Sequence, residues 1–240
     1  MTRNPKSPAK LKRVETRKVA REENVSKFIN SIHWNDEQKE ALKLIRTMGI
    51  IVVTGKAGSG KSILSIKGAL DLLNADNSTY EKIIITRPMV ATEDIGYLPG
   101  DLLAKVSPYL QPFEEFFSKL GTHGKYTVEE MTKTERLEVA PVAFMRGRNT
   151  DNCIVLVDEA QNLNVAQVKL ILTRFGKNTK MIITADENQQ DVKGKSGLDW
   201  LLKISQHPKM LSYISHINLV KSERSPFVDA LLSIDEEELK

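Results

Sequence analysis

The sequence predicts an α/β fold, a mainly parallel β-sheet flanked by helices. Two observations predict it. Short apolar runs of β-branched character alternate with helical patterns along 240 residues, the order that builds a parallel sheet. Each run is continuously apolar rather than alternating, as in strands covered on both faces.

The elements follow in order. A helix is expected at 36–48, where Asn35 is a good N-cap and Asp36 and Glu37 favour the first turn. Its apolar stripe is Ala41, Leu42, Ile45 and Met48. The strands are IIVVT (50–54), IIIT (83–86), CIVLV (153–157), MIIT (181–184) and HINLV (216–220). Helices are expected at 61–74, at 101–120 with breaks at Pro108 and Pro112, and at 164–175, 196–205 and 225–234. The polar stretch 121–136 reads as an exposed insertion.

Composition narrows the class. Apolar residues are 40% and charged residues 28%, the balance of a globular protein. No run approaches the ~18–20 apolar residues of a membrane span. The basic start, MTRNPKSPAKLKR, has no apolar core behind it and is not read as a secretory signal. A single cysteine, Cys153, excludes an internal disulfide and points to a reducing compartment, hence a cytoplasmic protein. Cys153 is expected to be buried, and Trp34 and Trp200 to be packing residues. The four histidines lack ligand-like spacing, which argues against structural zinc.

The net charge of +4 is unevenly placed. Residues 1–27 carry nine basic and three acidic side chains, +6; the rest carry 26 basic and 28 acidic, −2. Three parts follow: a basic arm at 1–32, partly disordered or helical; a domain at 33–234; and a short acidic end at 235–240. The arm suits a polyanion, or serves as a solubilising tail.

Chemistry enters after the first strand. Gly55-Lys56-Ala57-Gly58-Ser59-Gly60-Lys61-Ser62 is G-x-x-x-x-G-K-S, placed between a strand and a helix. Such a P-loop turns backbone N–H groups around phosphates at the helix N-terminus. Lys61 then reaches the β- and γ-phosphates, and Ser62 ligates Mg²⁺. CIVLV runs into Asp158-Glu159-Ala160-Gln161, a strand ending in two acids. Asp158 would hold Mg²⁺ through a water, and Glu159 would orient the attacking water. No guanine-reading N/T-K-x-D follows, so ATP is preferred to GTP. Gln38 can donate to and accept from a base edge, and is the candidate adenine reader. Gln189, beyond the strand 181–184, is the candidate γ-phosphate sensor. Arg224, after the last strand, can stabilise transition-state charge.

Together these residues resemble the PhoH-like proteins, P-loop ATPases similar to the first motor domain of superfamily 1 helicases. The resemblance rests on the P-loop, Thr86-Arg87-Pro88, Leu98-Pro99-Gly100-Asp101, Glu138-Val139-Ala140-Pro141, Met145-Arg146-Gly147-Arg148, Asp158-Glu159-Ala160-Gln161 and the Asp186 to Gln189 stretch, in that order. It covers about residues 33–234. It implies a RecA-like fold, Mg²⁺-dependent ATP hydrolysis, oligomeric rings and a link to RNA metabolism. By position it makes Gly60, Lys61 and Ser62 the phosphate and Mg²⁺ binders, Asp158 and Glu159 the Walker B pair, Gln189 the sensor and Arg224 the late arginine. The chain departs from the family at Ala185, where glycine is usual, and at Ser225, where histidine is usual.

A single motor lobe is expected to complete its site with a neighbouring subunit in a ring, a hexamer by resemblance. Arg224, Arg146 or Arg148 can act across that interface. Arg146 and Arg148 can equally grip a nucleic-acid backbone or hold structure. Arg87 can touch nucleic acid or phosphate, or pack its loop through a salt bridge. Tyr97, Tyr109 and Phe113 can stack on single-stranded RNA or DNA bases, though core or subunit contacts are the preferred reading. Two other functions compete: a small-molecule P-loop kinase, disfavoured by Glu159, and a nucleotide-gated adaptor.

Overall fold

The computed structural model describes residues 33–88, 102–119, 124–187, 196–223 and 227, with 102–109, 119 and 124–126 described by their backbone path alone. The arm 1–32 and the acidic end 235–240 lie outside the described residues, as does the helix expected at 225–234 apart from Phe227.

The described residues open with α1 (Asp36–Thr47), started by a reciprocal capping box. Asn35 Oδ1 accepts from Gln38 N at 2.9 Å, and Asn35 N donates to Gln38 Oε1 at 3.1 Å. Strand β1 (Ile50–Gly55), helix α2 (Lys61–Leu73) and strand β2 (Lys82–Thr86) follow. Then come α3 (Leu102–Lys119), α4 (Gly124–Lys133) and β3 (Leu137–Val139). A short 3₁₀ turn (Val142–Met145) leads to β4 (Cys153–Val157), and a second (Ala160–Asn162) to α5 (Val165–Leu172). Strand β5 (Lys180–Ala185), helix α6 (Gly197–Ser205) and strand β6 (Ile214–Leu219) complete the described elements.

The six strands form one sheet in the order β3-β2-β4-β5-β1-β6, every pair parallel. This is the RecA-like arrangement. Strand residues alternate between two apolar layers. Ile51, Val53, Ile83, Ile85, Ile154 and Ile182 pack with α1 to α4 on one face. Ile50, Val52, Ile84, Val155, Met181 and Ile183 pack with α5 and α6 on the other. Trp34 joins the first layer and Trp200 the second, both as packing residues. Cys153 is buried, and burial raises its thiol pKa.

Three expectations are corrected. Helix α3 runs unbroken through Pro108 and Pro112. Phe113, Phe116 and Phe117 are each at most 4% exposed on this helix, and their burial offsets the hydrogen bonds the prolines remove. Within the stretch 121–136, the described residues 124–136 are not an unstructured insertion. They hold α4, whose Val128 is buried and whose Met131 packs against the core, and they lead into β3. Leu137 of β3 pairs with Ile83, which adds a sixth strand at the sheet edge. Finally, β6 is not covered on both faces: its burial alternates, as an edge strand's does.

Candidate nucleotide site

A parallel sheet gathers the loops that leave its strands' C-terminal ends along one edge. At that edge β1 opens the glycine-rich loop, β2 leads to Arg87, β4 to Asp158 and Glu159, and β5 to Asp186.

The loop after β1 is shaped by backbone that admits no side chain. Gly60 is the N-cap of α2 with φ +86°, and a Cβ there would stand 2.9 Å from Gln38 Nε2. Gly55 has φ +150°, and its Cβ would meet Leu219 O at 2.5 Å. The loop is braced from outside. Gln38 Nε2 donates to Ser59 O at 3.1 Å, and Glu223 N donates to Gly58 O at 3.0 Å. Asn35 Nδ2 reaches Glu223 Oε1 at 2.8 Å, while Glu37 accepts from Val220 N and Lys221 N. The first turn of α1 thus ties the loop to the chain after β6. Lys61 Nζ lies over the loop, donating to Gly55 O at 2.6 Å and Lys56 O at 3.0 Å, and 3.9 Å from Asp186 Oδ2.

The acidic side is held by side chains. Thr184 Oγ1 of β5 donates to Asp158 Oδ1 at 2.6 Å. Glu159 sits in the left-handed region, φ +55°, a strained setting for a non-glycine residue. One of its oxygens accepts from Gln161 Nε2, and the other lies 3.4 Å from Arg87 Nη2. Gln161, 1% exposed, accepts from Asp186 N at 3.0 Å through its own oxygen.

Under the first turn of α2, between Ser62 and Asp158, lies a mostly apolar cavity of about 20 Å³, room for roughly one water. Ser62 and Asp158 supply polar lining, with Thr184 beside them and Phe113 and Leu156 on the apolar wall. A serine hydroxyl and a carboxylate are the hard oxygen donors that suit Mg²⁺, which keeps its other ligands as water and phosphate. No cluster of three or more His, Cys, Asp or Glu that could hold a metal occurs among the described residues.

The structure therefore brings Lys61, Ser62, Asp158 and Glu159 to one edge. Gln38 is beside them, buried, with its oxygen in the capping box and its nitrogen on Ser59. That is a bracing role. Gln189 and Arg224 lie outside the described residues, as do Tyr97 and the Tyr109 side chain. Phe113 is core, as preferred. Arg148 is bound internally: it pairs with Glu138, which also accepts from Lys82 Nζ at 2.7 Å. Burial raises the Glu138 pKa, but these two cations more than offset it and the net shift is downward. Arg148 is partly exposed beside Glu138, and Arg146 is exposed. Sequence reasoning missed the parts played by Thr184 and Gln161. Thr184 stood at the end of a strand run and Gln161 in a quoted motif, but Asp158 and Asp186, which they bond, are 26 and 25 residues away in the chain.

The family model "PhoH-like protein" matches residues 32–235. A PhoH-like protein of Bacillus subtilis is 39% identical over 195 residues, covering 80% of this chain and 58% of that protein. Protein PhoH of Escherichia coli K12 is 38% identical over 186 residues, covering 75% of this chain and 51% of that one. The chain thus spans between half and three fifths of these relatives' length. Among solved structures, Pif1 helicase from Candida albicans aligns at TM-score 0.44 and 16% identity, covering 86% of this chain and 46% of that one. The HK97 bacteriophage large terminase aligns at TM-score 0.49 and 11% identity, covering 78% and 39%.

Proposed function

The chain belongs to the PhoH-like family, and from that premise we propose that it is an ATPase, hydrolysing ATP with Mg²⁺ and acting on or with single-stranded nucleic acid, RNA foremost. The observation that carries this reading is the shared cavity of Ser62 and Asp158, with Glu159 next in the chain. In this reading four chemical roles lie along one sheet edge: a phosphate cradle, a cation, two hard metal donors and a water-orienting carboxylate.

In this reading the amides of residues 55–62 and the N-terminus of α2 bind the phosphates. Lys61 leaves the Gly55 and Lys56 carbonyls for the β- and γ-phosphate oxygens. Ser62 would hold Mg²⁺ directly and Asp158 through a water, with Thr184 fixing the carboxylate. The bound ion neutralises charge on the phosphate oxygens. Glu159 orients the water that attacks the γ-phosphorus. Gln189 senses that phosphate, and Arg224 stabilises transition-state charge. The bond from Glu223 N to Gly58 O supports Arg224, because it anchors the preceding residue on the cradle. Gln38 reads adenine beyond its bracing role. The arm 1–32 binds phosphate backbones beside the ATPase domain 33–234 and the acidic end 235–240. Subunits assemble in a cytoplasmic ring, a hexamer, with Arg146 or Arg224 reaching a neighbour's site. Duplex unwinding is a possible output of that assembly.

Phosphate release from ATP tests the reading, with Mg²⁺ or a chelator and with single-stranded RNA, single-stranded DNA or neither. Release that needs Mg²⁺ and falls by about 10²–10³-fold in Lys61→Ala is expected. No release under any of these conditions would sink it.

A further inference from the structure

Resting on the ATPase reading, we infer that Arg87 and Gln161 are positioning residues that hold the Glu159 carboxylate back from water, and that a nucleic-acid phosphate taking Arg87 releases it.

Both oxygens of Glu159 are engaged. Oε2 accepts from Gln161 Nε2, and Oε1 lies 3.4 Å from Arg87 Nη2. A carboxylate that orients a water needs an oxygen directed at that water. The backbone adds to the restraint, since φ +55° at Glu159 limits where the side chain can start.

The two restraints differ in permanence. Gln161 is 1% exposed, and its oxygen is anchored on Asp186 N, so it is part of the interior. Arg87 is 35% exposed along its side chain and has Glu159 as its sole charged partner within 4 Å among the described residues. An ion pair of that exposure is weak and open to competition. A phosphodiester offers a guanidinium planar, bidentate acceptors of the kind it binds best. The pair is therefore breakable at the Arg87 end and firm at the Gln161 end. Its location follows from topology: β2 and β4 are neighbours, in register from Lys82↔Cys153 to Thr86↔Val157. Arg87 is thus one residue past the β2 end and faces the turn that carries Glu159.

Exchanging one partner of an exposed pair moves a rate by about three- to fivefold. Arg87→Ala should raise kcat for ATP without nucleic acid by about that factor, leave KM for ATP within about twofold, and remove most of the stimulation by single-stranded poly-uridylate. Arg87→Lys, which keeps charge but loses the planar fork, should fall between wild type and Arg87→Ala. Thermal melts of all three report folding, and Arg87→Lys serves alone if Arg87→Ala fails to fold. A wild type that hydrolyses ATP, with variants whose unstimulated kcat is unchanged or lower or whose stimulation persists, overturns the inference alone. A wild type without hydrolysis overturns the ATPase reading and this inference with it.

Discussion

The cradle after β1 and the acidic turn after β4 share one edge of the sheet but are built on different principles. The cradle is held mainly by main chain: positive-φ glycines, carbonyls that accept from Gln38 and Glu223, and a neighbouring strand too close for a Cβ. The acidic turn is held by side chains, with Thr184 on Asp158 and Arg87 and Gln161 on Glu159. A main-chain cradle presents the same amides to any phosphate. Side-chain restraints can be exchanged one by one, so control belongs on the acidic side.

Four experiments sharpen or break this contrast. Lys61→Ala removes the ammonium that lies over the cradle, and hydrolysis should fall by about 10²–10³-fold with the fold intact by circular dichroism. Gly60→Ala forces a side chain at φ +86° against Gln38. It should lower stability by about 1–3 kcal/mol in urea titrations and weaken nucleotide binding in calorimetry. On the acidic side, Thr184→Val keeps the shape but drops the hydroxyl. Here kcat should fall by about tenfold with only ~1 kcal/mol of stability lost, and the Mg²⁺ concentration for half-maximal rate should rise. A stability loss as large as that of Gly60→Ala would erase the distinction.

The fourth is a control at the opposite end of the sheet. Lys180 opens β5, 5% exposed, and its Nζ donates to Met48 O. Burial lowers its pKa from 10.5 to about 8. Between those values the unfolded chain binds more protons than the folded one, so stability rises with pH through that window. It should be about 1 kcal/mol greater near pH 9 than near pH 7 by urea unfolding. Lys180→Met should flatten that dependence and leave nucleotide binding unchanged.

The sequence exposed the cradle almost completely, because a backbone motif is local. The loop, its strand and its helix are contiguous, and Lys61 and Ser62 fall at the start of α2 as expected. Asp158 and Glu159 were legible for the same reason, at the end of an apolar strand. What restrains them was not. Thr184 reads as the last residue of an apolar run, and only the adjacency of β4 and β5 turns it toward Asp158. Arg87 was ambiguous between a phosphate contact and a salt bridge until β2 and β4 were paired. Helix α4 and β3 were missed because their apolar signal is a few residues, Val128, Met131 and Leu137, within a polar run. Arg148 was open between an interface, a nucleic-acid backbone and a structural role, because its pairing with Glu138 of β3 is set by the fold.

The outer braces of the cradle also fix its inner polarity. A peptide unit is planar and trans, so its N–H points opposite to its C=O. Glu223 draws the Gly58 carbonyl outward, and Gln38 does the same to Ser59. The N–H of Ser59 then points inward, where it donates to Lys56 O at 3.1 Å across the loop, and that of Gly60 faces the concave side, toward an anion. The orientation of two cradle dipoles is thus set by one residue on the helix before the loop and another beyond the last strand, neither of which has to touch the phosphate.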